Sequence, residues 1–141
     1  MENFGRELVK VLAEEEKSEL NKLAANLLRV LAVYHGVCWR TELPKDLTKF
    51  YRFAGRPDLM NLGLLDEAIG YLESKGLVSV EYRRRGELLS KETYVDKLVK
   101  LRDVEEARRL LQRDEAFNKY RFERTKAIRE TLERRRANVE G

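Results

Sequence analysis

The segment Leu72-Glu73-Ser74-Lys75-Gly76-Leu77-Val78 constrains this chain more than any other. Upstream of it, Leu62, Leu65, Ala68, Ile69 and Leu72 recur at the spacing of one helix face, and Asn61 stands where an N-cap belongs. Lys75-Gly76 is a helix stop, because glycine accepts the left-handed backbone that reverses the chain. No loop follows. Leu77-Val78-Ser79-Val80-Glu81-Tyr82 starts at once, with Val78, Val80 and Tyr82 alternating against Ser79 and Glu81 as in a half-buried strand. A helix and a strand joined by one glycine must fold onto a common core, onto which Leu77 drops. Arg83-Arg84-Arg85-Gly86 reads as a charged turn, and a return strand is expected between Glu87 and Val95, with Thr93-Tyr94-Val95 its most strand-like part.

The rest of the chain reads as helical. Phe4, Leu8, Val11 and Leu12 predict a short amphipathic helix, and Ser18 can cap the next one. Leu20, Leu23, Ala24, Leu27, Leu28, Leu31 and Tyr34 then form a wide apolar stripe that Gly36 terminates. Thr41 is the expected cap of a shorter helix with Leu43, Leu47, Phe50 and Tyr51 inward, broken at Gly55-Arg56-Pro57. After Val95 a helical pattern runs through Leu98, Leu101, Val104, Ala107, Leu111, Phe117, Tyr120, Ile128 and Leu132, with neither glycine nor proline from Arg102 to Val139. One long helix, or two separated near Asp114, is expected. The chain has 141 residues, enough for one compact unit with appended helices, and it divides into 1–101 and a C-terminal extension, 102–141. The extension's stripe either packs back or meets a second copy. A small domain offers little surface to cover so long a helix, so a homodimer through Phe117, Tyr120 and Ile128 is the favoured expectation. Arg124 interrupts the stripe, which disfavours a regular coiled coil.

Three helices followed by a hairpin entered through Lys75-Gly76-Leu77-Val78 resemble the winged helix-turn-helix superfamily, over roughly Leu20 to Leu101. The expected fold is mainly α with a small β-hairpin, flanked by an N-terminal helix and one or two long C-terminal helices. In length and arrangement the chain looks like the MarR and PadR groups of dimeric DNA-binding regulators. The resemblance implies a transcriptional regulator or chromatin-associated factor whose third core helix enters the major groove. That helix, however, offers Asn61, Gly63, Asp66, Glu67, Gly70 and Glu73. Its three carboxylates would repel phosphates, and Asn61 is its one obvious base reader. The Asp-x-Arg wing tip frequent in MarR-type proteins is missing too, although Arg83, Arg84 and Arg85 put positive charge at the same place.

Charge therefore decides how the fold is read. Charged residues make up 38% of the chain, above the roughly 25% of an average domain, a pattern that fits a thermophilic origin, to which the winged-helix resemblance adds an archaeal one. The net charge is only +4. Up to Leu101 there are 17 basic and 16 acidic residues, or +1, and beyond it 12 and 9, or +3. The cations cluster at Lys45, Lys49, Arg52 and Arg56, at Arg83 to Arg85, and at Arg134 to Arg136. Taken singly, a basic cluster reads most plainly as a solvated face, but the wing triplet, at a hairpin tip, reads equally well as a contact. Together the first two could flank a duplex and touch phosphates, so double-stranded DNA, bound with weak sequence preference, is the expected partner. The alternative is a protein-interaction subunit of a transcription, replication or repair complex, with Asp66, Glu67 and Glu73 facing the partner.

No catalytic set is visible. His35 and Cys38 stand close together, but the chain has no other histidine or cysteine to complete a metal site, and no partner orients them as a nucleophilic pair. No metal or cofactor is expected. Trp39 reads as a core anchor beside the Leu43–Tyr51 helix, or else as a stacking residue for a partner. No apolar run approaches the roughly 20 residues that span a bilayer, and Met1 to Arg6 do not resemble a signal peptide. A soluble cytoplasmic protein is expected.

Overall fold

The computed structural model describes residues 3–55, 61–86 and 93–140. The chain is mostly helical, with a small three-stranded antiparallel sheet and a long C-terminal helix. Arg56 lies outside the described residues, as do most of the positions between Glu87 and Val95.

Helix α1 spans Phe4–Ala13 and leads through a 3₁₀ turn, Glu15–Lys17, into α2, Glu19–Val33. Ser18 caps α2 by accepting the Asn21 amide at 3.1 Å. This helix is the axis of the core: every residue from Leu23 to Val33 is buried. It ends at His35 and Gly36, both at positive φ, where the Gly36 amide donates to the Leu31 carbonyl at 2.6 Å. A Cβ on Gly36 would stand 2.3 Å from Val104 Cγ2, so the position combines a left-handed backbone with no room for a side chain.

Strand β1, Val37–Trp39, follows, then a 3₁₀ turn, Arg40–Glu42, and α3, Leu43–Phe53, with Pro44 in its first turn. Thr41 does not cap α3. Glu42 holds that position without a side-chain bond, and the Thr41 hydroxyl instead donates to Asp96 at 2.6 Å. A 3₁₀ turn, Leu62–Leu64, opens α4, Leu65–Ser74. Its end matches the sequence signal: Gly76 has φ 74°, its amide reaches the Glu73 carbonyl, and the Leu77 amide reaches Leu72 at 3.0 Å. Leu77 is fully buried.

Strands β2, Val78–Gly86, and β3, Thr93–Leu101, pair from Val78↔Leu101 to Gly86↔Thr93, and β1 adds to the other side of β3 in the order β1-β3-β2. Three expectations change here. Arg83, Arg84 and Arg85 lie within β2, not in a turn. Leu98 and Leu101 belong to β3, not to a helix, because that strand is the centre of the sheet and pairs on both sides. Tyr82 keeps its alternation but not its burial. It shares a face with Val78 and Val80, yet the hairpin has outrun the helices by then and leaves Tyr82 70% exposed.

Asp103 caps α5, Val104–Leu111, by accepting the Glu106 amide, and Asp114 starts α6, Glu115–Glu140, by accepting the Phe117 amide at 2.8 Å. The extension is thus two helices separated at Asp114. Phe117 and Tyr120 are fully buried, with Tyr120 edge-on to Phe50 of α3 at 5.1 Å between ring centres. This corrects their expected role. They pack into the chain's own core, whereas Ile128 stays exposed. From Arg121 to Val139 α6 has no buried residue.

Arg29, on α2, is 1% exposed. Its five N–H donors are all used: Nε and Nη2 grip Asp114 at 2.8 and 2.9 Å, Nη1 and Nη2 grip Glu15 at 2.9 and 2.7 Å, and Nη1 also reaches Asn26 at 2.7 Å. Burial would lower its pKa, but hydrogen bonds to Glu15 and Asp114 outweigh that cost and raise it, so the guanidinium stays charged. Replacing Arg29 by Ala removes the buried guanidinium that Glu15 and Asp114 share. Urea unfolding of Arg29→Ala is expected to show a loss of about 3 to 5 kcal/mol, and a loss below about 1 kcal/mol would show that the cluster is not structural.

Candidate nucleic-acid interface

Strand alternation sorts the arginine triplet into two groups. Arg83 and Arg85 share one face of the hairpin, and Arg84 shares the other with Tyr82, Lys97 and Val95. Arg83 forms an ion pair with Glu81 at 2.7 Å. Arg85 donates to Asp96 at 3.0 Å, to Thr41 at 3.2 Å and to Glu42 at 3.2 Å, and its guanidinium lies over Trp39 at 4.5 Å and Tyr94 at 5.7 Å. Arg85 is therefore a brace between β2, β3 and the turn that opens α3. Trp39 serves as the surface on which it stacks. Arg84 has no carboxylate partner among the described residues, and Lys97 forms no ion pair there, lying over the Tyr82 ring at 5.7 Å.

Asp96, 5% exposed, is the anion of this brace. Burial pushes its carboxyl up, but the Thr41 hydroxyl, Arg85 and the Lys97 amide together hold it below the ordinary aspartate range.

Helix α4 carries its acids as the sequence indicates, but they differ in state. Arg40 grips Asp66 at 2.7 and 3.3 Å and, with Lys97 adding to the effect, holds its carboxyl below the usual range. Glu67 and Glu73 are exposed, with no ion-pair partner among the described residues. The Asn61 side-chain oxygen accepts the Gly63 amide at 3.1 Å, so as a base reader Asn61 has only its amide nitrogen to offer.

The third group is assembled by tertiary packing. Lys45, Lys49 and Arg52 stand at i, i+4 and i+7 on α3 and line an open groove of about 620 Å³, whose other wall is α6 with Arg124 and Arg135. None of these five cations has an ion pair among the described residues. The floor is Tyr34, Asp46, Phe53 and Tyr120, with the Tyr34 and Tyr120 hydroxyls 3.4 Å apart. Burial raises the Asp46 carboxyl, Glu42 adds to this, and Lys49 and Lys45 oppose it. The sequence grouped the α3 cations with the wing, but the structure joins them to α6. Arg135 alone of Arg134 to Arg136 lines the groove.

Cys38 is buried, and desolvation pushes its thiol up to about 12, far from a reactive thiolate. Among the described residues no cluster of three or more His, Cys, Asp or Glu side chains could hold a metal ion, and no helix is long and apolar enough to cross a membrane. No protein-family model, curated protein or solved structure matches the chain.

The depressed Asp96 carboxyl makes the brace sensitive to acid. Its stabilisation is whole above the unfolded aspartate pKa of about 3.9 and is lost as pH falls through the lower folded value. In acid unfolding followed by Trp39 fluorescence, Asp96→Asn is expected to be less stable than the parent at pH 6 and to lose less stability between pH 4 and 2. Parallel curves would mean that Asp96 titrates the same folded and unfolded.

Proposed function

We propose that the chain is a winged helix-turn-helix protein that binds double-stranded DNA through its phosphates and does not read bases with α4. The fold reading is supported by the order α2, β1, α3, α4, β2, β3, by the sheet order β1-β3-β2, and by the direct passage from α4 into the hairpin at Gly76. The binding reading is carried by one observation: Lys45, Lys49, Arg52, Arg84 and Lys97 form no ion pair among the described residues, while Arg40, Arg83 and Arg85 are held by acids. Unpaired cations can exchange their counterions for phosphates at little cost, whereas paired ones must first give up an ion pair. The outward face of α4, with Asp66, Glu67, Gly70 and Glu73, disfavours base contacts. A second reading, in which α4 meets a partner protein, now draws on Glu67 and Glu73 alone, since Arg40 engages Asp66.

The test is duplex affinity measured against salt on a mixed-sequence DNA of about 25 bp. The slope of log affinity on log salt is expected to shrink by about 0.9 for each contacting cation removed, in Lys45→Ala, Lys49→Ala, Arg52→Ala and Arg84→Ala, and scrambling the sequence should change little. Arg83→Ala should leave the slope unchanged. No measurable affinity at low salt, or equal effects of Arg83→Ala and Arg84→Ala, would contradict the proposal.

A further inference from the structure

The groove between α3 and α6 holds more than cations. Phe53 from α3 and Ala127, Ile128 and Leu132 from α6 make an apolar strip along it, and Ile128 and Leu132 remain 47% and 60% exposed. Residues 124, 128, 131, 132 and 135 fall at spacings of three and four, so the strip and its flanking arginines share one face of α6. Phosphates have no use for exposed isoleucine and leucine.

We propose that this groove docks an acidic amphipathic helix of a partner protein, with the partner's apolar side chains on Phe53, Ile128 and Leu132 and its carboxylates against Lys45, Lys49, Arg52, Arg124 and Arg135. Three features select this occupant. The groove is open and walled by two helices, the form that receives a third helix about 10 Å across, and a small organic ligand would be left largely in water. Its rims are basic on both sides, and its one acid among the described residues, Asp46, is 9% exposed on the floor, which matches acidic side chains flanking an apolar stripe. A second copy offering its own α6 would set Arg121, Arg124, Arg129 and Arg135 against like charges, so a symmetric α6 pair is disfavoured.

Peptide and duplex would compete, because both use Lys45, Lys49 and Arg52, but only the peptide uses the apolar strip. The probe is a labelled peptide of about 18 residues, or five helical turns, with leucine at i, i+3, i+4 and i+7 and glutamate elsewhere, together with a scrambled peptide of the same composition. By fluorescence anisotropy on the full chain, the amphipathic peptide is expected to bind at least roughly tenfold more tightly than the scramble. Ile128→Ser with Leu132→Ser should remove that advantage while leaving duplex affinity and thermal unfolding unchanged, since both side chains are exposed. Lys49→Glu with Arg124→Glu should weaken the peptide further. Absence of binding, equal binding of the scramble, or unaltered binding to the serine variant overturns the inference. Loss of duplex affinity alone, with the peptide still bound, would count against the DNA reading and leave this one standing.

Discussion

Arg29 is the interaction on which the arrangement depends. A guanidinium at the centre of α2 would be costly to bury unless each N–H found an acceptor, and this one finds five on Glu15, Asn26 and Asp114. Those acceptors come from three places in the chain: the turn after α1, α2 itself, and the start of α6. Asp114 works twice, since the carboxylate that pairs with Arg29 also accepts the Phe117 amide in the first turn of α6. The direction of α6 is thereby coupled to the core, and with it the placement of Phe117 and Tyr120 under α3 and of Arg124 and Arg135 across from Lys45, Lys49 and Arg52. Asn26 extends the network to Tyr51 of α3 at 3.0 Å, so both walls of the groove are tied to one buried cation.

The same bookkeeping of charge separates scaffold from surface elsewhere. Arg85 with Asp96, Arg83 with Glu81 and Arg40 with Asp66 brace the hairpin and the start of α4, and each pairing takes a cation away from any partner. Among the described residues, cations without an ion pair gather on one wing face, with Arg84 and Lys97, and along the α3–α6 groove. The triplet that looks uniform in sequence is thus one exposed arginine without an ion pair among the described residues, between two that acids hold.

What the sequence made legible was local. The Gly76 stop, the Ser18 cap, the Gly36 terminus and the break at Asp114 each follow from a few neighbouring residues, and each stands in the structure. Pairings between distant segments were not legible. Strand β1 has three residues and shows no period of its own, and β3 beyond Val95 reads as helix because Leu98, Leu101 and Val104 mimic a helical stripe when β1 is unseen. Arg124 looked like a flaw in an apolar seam because nothing local shows that α3 lies opposite. Phe117 and Tyr120 suggested a second copy for the same reason: their pocket is formed by residues some 70 positions earlier, including Phe50. The exposure of Tyr82 likewise depends on where the helices stop beneath the hairpin.

The central claim is that DNA meets the cations of α3 and of the wing that no acid holds, Lys45, Lys49, Arg52, Arg84 and Lys97. Lysine acetylation followed by mass spectrometry, with and without duplex, reads this directly. The account predicts protection of Lys45, Lys49 and Lys97, and unchanged rates at Lys100, paired with Glu81 at 3.1 Å, and at Lys17, paired with Glu14 at 3.2 Å. Uniform protection, or protection at Lys100 with none at Lys45 and Lys49, would contradict it.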